Sequence, residues 1–97
     1  MAKTRDANID SMLAAILTLK NVDECYDFFK DLCTTKELRA MAQRYKVAKM
    51  LTEGKVYTDI VEKTGASTAT ISRVNRSLND GNDGYAIVFS RIKEEDK

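Results

Sequence analysis

Histidine, proline and tryptophan are absent from this 97-residue chain, and it holds four glycines and two cysteines. Without histidine there is no imidazole base, no Ser-His-Asp triad and no histidine metal site, so the sequence reads as a non-enzyme. With no proline and few glycines, and with leucine, alanine, lysine and glutamate spread along its length, the chain reads as all-α. No apolar run approaches the ~20 residues of a membrane span, and the polar start "MAKTRDANID" lacks the apolar centre of a signal peptide. Those two absences point to the cytoplasm and to no membrane partner. Cys25 and Cys33 fall eight positions apart in one expected helix, which at ~1.5 Å per residue separates their α-carbons by about 12 Å, beyond disulfide reach. They read as buried thiols, and no zinc-ligand spacing accompanies them.

A chain of this length is bounded to a single domain, residues 1–97, and buries only about two-thirds of its unfolded surface, which calls for a partner to complete the core. The net charge of +1 is unevenly spread. Residues 1–35 carry four basic and six acidic groups, residues 36–79 nine and four, and residues 80–97 three and five. The cationic middle points to a polyanion, although a charged helical face is often only a solvated one.

From Ile9 the apolar residues Ile9, Met12, Leu13, Ile16 and Leu17 form one stripe of an amphipathic helix. Asn21 suits the N-cap of a second helix striped by Val22, Cys25, Tyr26, Phe29, Leu32 and Cys33, with Asp23 and Glu24 in the first turn, where negative charge suits the helix dipole. Thr34-x-x-Glu37 is a capping box that opens a third helix through Leu38, Met41, Tyr45, Ala48 and Leu51, ended by Gly54. Val47 and Met50 widen its apolar face, which suggests a central helix packed on several sides. The stripes are read as core. Residues 57–64 make two turns, Gly65 interrupts, and Ser67 caps a helix from Thr68 to about Leu78. "NDGNDG" signals a loop, and a last helix over 83–93 carries Tyr85, Val88, Phe89 and Ile92.

With Gly65 at the turn, residues 57–78 fall into the register of a helix-turn-helix: Ile60 inward in the first helix, Ala66 in the turn, Ile71 and Val74 inward in the second. The turn needs a left-handed backbone, which glycine adopts without steric cost. Thr68, Ala69, Ser72, Arg73 and Arg76 then face outward. Short side chains at the start of such a helix suit entry into a major groove, and the arginines behind them can reach bases or phosphates. The pattern alone also fits any two short helices packed across a glycine.

"TGASTATISRVNRSL", preceded by "TKELRAMAQRYKVAKMLTEGK", resembles the Trp repressor family in its capped helix with an internal arginine, the glycine that ends it, the short helix and the recognition segment. The resemblance is strong over Thr34 to Leu78, and the flanking helices agree in pattern. It implies a multi-helix domain in an intertwined homodimer. Residues 1–54 would supply the dimerisation helices, and each subunit would offer one helix-turn-helix to half of a palindromic operator in double-stranded DNA. The DNA-contacting set is then Ser67, Thr68, Ala69, Ser72, Arg73 and Arg76, with Thr68, Ala69 and Ser72 facing bases. The resemblance also implies a corepressor pocket of Arg44, Arg73, the position of Val74, and Ser77, in which Arg73 would hold an amino-acid carboxylate and Arg44 flank the other face of the ligand.

The family has a glycine where this chain has Val74. The valine adds three heavy atoms to the pocket floor, and overpacking of that kind costs about 1–3 kcal/mol, a ~5- to 150-fold loss of affinity. Asp31 and Cys33 also stand where the family has leucines that line the approach. Tryptophan is therefore not the expected ligand. The expectation is an amino-acid corepressor other than tryptophan, or no cofactor at all, with Val74 serving only helix packing. The leading reading is a dimeric DNA-binding repressor of amino-acid metabolism genes. A helical adaptor or dimerisation module and a ligand-independent DNA-binding domain stay open beside it. An adaptor groove would show large exposed apolar residues between Thr68 and Arg76, and the sequence has none there.

Overall fold

The computed structural model describes residues 5–95, with side chains through Ile92. It contains six helices: α1 (Ala7–Ile16), α2 (Val22–Leu32), α3 (Thr35–Thr52), α4 (Tyr57–Thr64), α5 (Thr68–Asp80) and α6 (Gly84–Glu95). No strand occurs among the described residues, as the all-α reading requires. None of the described helices is long and apolar enough to cross a membrane. The chain divides into two units, one ending at Leu38 and the other beginning at Arg39.

In the first unit the helix starts are fixed by side-chain caps. The Asp6 carboxylate accepts from the backbone N–H groups of Asn8 at 2.7 Å and Ile9 at 3.2 Å, which satisfies two of the donors that every helix start leaves free. Asn21 caps α2 by accepting from Glu24 N–H at 2.9 Å, and the Glu24 carboxylate accepts from Lys20 N–H, also at 2.9 Å. The Thr34–Glu37 capping box forms with both arms in place. Thr34 Oγ1 accepts from Glu37 N–H at 3.0 Å, and Glu37 Oε1 accepts from Thr34 N–H at 2.8 Å. The Thr34 N–H bond, and after it the Thr34 hydroxyl, hold the exposed Glu37 carboxyl below its ordinary range, because hydrogen bonds to the carboxylate favour the charged form.

The stripes of α1 and α2 were read as core, and the structure corrects this for the single chain. Ile9, Met12, Leu13, Val22, Tyr26 and Leu32 are exposed, and Leu17 is 85 % exposed. Periodicity identified the apolar face correctly, but this chain alone does not cover it. The two thiols, expected to be buried, are only half-buried, and both are free.

The second unit holds the core. Val47, Ala48, Met50, Ile60, Ala66, Ile71 and Val74 are buried, with Leu51, Leu78, Tyr85 and Phe89 packed around them. The buried face of α3 is therefore Val47, Ala48 and Met50, whereas Met41 and Tyr45 from its expected main stripe are exposed. The helix ends in a Schellman motif. Gly54 takes φ +82°, its N–H donates to Leu51 C=O at 3.0 Å, and Lys55 N–H reaches back to Met50 C=O at 3.0 Å. Helix α5 runs two residues beyond the expected end near Leu78, which shortens the "NDGNDG" loop. Helix α6 packs its aromatics toward α3, with the Phe89 ring 5.5 Å from Tyr45 and 5.9 Å from Tyr85.

Ile71 is fully buried and touches the middle of this small core. Ile71→Ala should therefore lower stability by about 2–5 kcal/mol, measured as a fall in the urea midpoint with an unchanged slope.

Candidate nucleic-acid interface

Helices α4 and α5 and the turn between them are built from local chemistry. Helix α4 ends at Gly65, whose φ of +72° and ψ of 5° place it in the left-handed region, and the Gly65 N–H closes onto Val61 C=O at 2.9 Å. A Cβ at Gly65 would meet nothing within 4 Å, so the requirement for glycine comes from the backbone angle and not from crowding. Ala66 then drops into the core, 2 % exposed. Ser67 caps α5: its hydroxyl accepts from Thr70 N–H at 3.1 Å and donates to Thr70 Oγ1 at 3.1 Å.

The register expected for a helix-turn-helix is present. Ile60 and Ile71 are fully buried, and Val74 is 3 % exposed. Ser67, Thr68, Ala69, Arg73 and Arg76 are exposed, and Ser72 is half-buried at the edge of the same face. The start of α5 thus offers small polar side chains without bulk, and the two arginines follow behind them, spaced for one face of a helix. None of the exposed large hydrophobic residues lies on α5. This surface can donate hydrogen bonds and carry positive charge, and it has little apolar area to offer a protein groove.

The candidate ligand residues divide. Arg44 lies exposed on α3 and Arg73 exposed on α5. Ser77 sits one turn after Arg73, and its hydroxyl donates to the Arg73 carbonyl over 3.4 Å. Val74 points into the core with Ile60 and Ile71. Ser77 lines two surface cavities, one with Leu51, Asn75 and Tyr85 and the other with Tyr45, Gly81 and Val88, and neither is lined by Arg44, Arg73 or Val74.

Sequence reasoning missed the group that ties the turn to α3. The Gln43 side-chain amide donates to the Thr64 carbonyl at 3.1 Å, and Thr64 Oγ1 donates to Ile60 C=O at 2.7 Å while accepting from Ala66 N–H at 3.1 Å. A polar residue in the middle of a basic helix, twenty-one positions from its partner, carries no local signal of this role.

Comparison with known proteins agrees with this geometry. The family model for Trp repressor protein matches residues 7–93. The protein YerC of Bacillus subtilis (strain 168) is 53 % identical over 92 residues, which cover 95 % of this chain and 88 % of YerC. Among solved structures, a TrpR-like protein from Eubacterium eligens ATCC 27750 superposes with a TM-score of 0.89 at 58 % identity, covering 92 % of each chain. A candidate Trp repressor from Staphylococcus aureus gives a TM-score of 0.88 at 52 % identity, covering 92 % of this chain and 89 % of the other.

The turn geometry predicts a graded response to substitution. Gly65→Ala should cost about 1–2 kcal/mol from the left-handed backbone alone, and Ser67→Ala about 1 kcal/mol from the lost cap. Thermal denaturation checks both, at roughly 4–8 °C per kcal/mol for a domain of this size.

Proposed function

This chain belongs to the Trp repressor family, and from that premise we propose that it is a DNA-binding transcriptional regulator acting as a homodimeric repressor on a palindromic operator. The observation that carries the reading is the division of α5: Ile71 and Val74 are given wholly to the core, which leaves Thr68, Ala69, Arg73 and Arg76 exposed on the other side. In a major groove the short side chains let the helix approach base edges, and the arginines reach bases or phosphates. The excess of nine basic over four acidic groups across residues 36–79 supplies the field that draws the chain to DNA.

The exposed stripes support dimerisation. Ile9, Leu13, Leu17, Val22, Tyr26 and Leu32 leave large apolar side chains exposed along both helices, and a second copy covering residues 1–54 is the occupant we propose. The effector, if the protein has one, is an amino acid other than tryptophan. Val74 is a core residue of the helix pair, and a valine at the position the family keeps as glycine supports a pocket with less room for an indole. Control of amino-acid metabolism genes and a cytoplasmic location accompany this reading.

Three outcomes test it. On a palindromic duplex, Arg76→Ala should weaken every sequence alike and reduce the salt slope by about 1, whereas Thr68→Ala and Ser72→Ala should change the preference among sequences. Sedimentation should find a dimer at micromolar concentration, and a folded monomer there would refute the stripe argument. Calorimetry should detect no micromolar tryptophan binding by the wild type, and any amino acid that does bind should lose its heat in Arg73→Ala.

A further inference from the structure

Thr64 is the joint of the helix-turn-helix. As the last residue of α4 it has a carbonyl that no residue of its own helix can satisfy, and Gln43 of α3 supplies the donor at 3.1 Å. Its hydroxyl makes two further bonds, to Ile60 C=O and from Ala66 N–H, so the same residue fixes the end of α4 and the start of the turn. Three residues later Ser67 opens α5. The Gln43 amide and the Thr64 hydroxyl are both half-buried, and the acceptor being a carbonyl fixes which end of the amide faces it.

We propose that Gln43 is a positioning residue for the DNA-reading helix: its amide sets the placement of the turn, and with it of α5, against α3. The proposal rests on the DNA-binding reading given above. Burial of Ile60, Ala66, Ile71 and Val74 holds α4 and α5 together, but hydrophobic burial has no preferred direction. A hydrogen bond has both a direction and a length, and this one joins the turn to the longest helix of the chain. Base contacts depend on placement within tenths of an ångström, whereas phosphate attraction acts over about a Debye length, roughly 8–10 Å, and tolerates small shifts. Loss of the bond should therefore reduce discrimination between sequences and spare non-specific affinity.

The test uses the full chain, a duplex enriched by the wild type from a random pool, and a scrambled duplex of equal length. Gln43→Met keeps length and helix propensity but removes the donor. It should lower the enriched-to-scrambled affinity ratio by about 5- to 10-fold while leaving scrambled binding and its salt slope unchanged. Gln43→Glu sets a carboxylate against the Thr64 carbonyl and should lower the ratio at neutral pH. That contact disfavours the charged form and raises the carboxyl above its ordinary value near 4.3, so by about pH 4.3 most of it carries an O–H donor again and the ratio should rise back toward that of the wild type at the same pH. A purely structural defect would not recover in this way. A wild-type ratio in Gln43→Met overturns the proposal, as does a Gln43→Glu ratio that stays low down to about pH 4.3. If Gln43→Met does not fold, the glutamate variant decides alone. A wild type that enriches no duplex overturns the DNA-binding reading and this one with it, whereas enrichment without an effect of Gln43 overturns this one only.

Discussion

The second unit depends on one hydrophobic cluster, in which Ile60 and Ile71 from the two sides of the Gly65 turn are gathered with Val47 of α3. All three side chains are fully buried, and every other buried residue adjoins them between positions 47 and 74. A core of this extent removes little apolar surface from water, and conformational entropy opposes the ordering of every residue outside it. The chain spends its buried volume on holding two short helices in a fixed relation. The long apolar stripes of α1 and α2 are left for another surface to cover. On the proposed reading that surface is a second copy, so the reading head carries its own core and the remaining helices draw theirs from assembly.

Val74 shows how that economy bears on ligand recognition. A glycine at this position leaves space beside Arg73 but contributes nothing to a core and weakens the helix by about 1 kcal/mol. Valine closes the space and completes the packing of α5, where it is 3 % exposed. On the proposed reading, this one difference from the family moves a position from binding to stability. Arg44 and Arg73 still carry charge able to hold a carboxylate, but Ser77 opens onto cavities that neither arginine lines.

What could be read from the sequence was what is encoded locally. The Thr34–Glu37 box, the Asn21 and Ser67 caps and the Gly65 turn each rest on bonds spanning at most four residues, and each formed as expected. The inward positions Ile60, Ala66, Ile71 and Val74 were also legible, because a helix-turn-helix fixes its contacts by register. The buried phase of α3 was not. Its circumference is apolar on several sides, and only the tertiary contact selects Val47 and Met50 over Met41 and Tyr45. The exposure of α1 and α2 was misread for a related reason, since periodicity says which face is apolar and not what covers it. Gln43 could not be found at all, because its partner is distant in the chain and its residue type is ordinary on a helix.

These limits separate the two halves of recognition. Non-specific attraction needs only the positive excess of residues 36–79, which can be counted in the sequence and which tolerates rearrangement of any one lysine or arginine. On the proposed reading, discrimination needs Thr68, Ala69 and Ser72 held at one depth and angle, and nothing in those residues determines where they stand. Their placement is inherited from the start of α5, which is inherited from the left-handed turn, which is anchored through Thr64 to α3. Affinity for DNA is then, on the proposed reading, a property of composition, and selectivity a property of a short series of polar contacts that composition does not reveal.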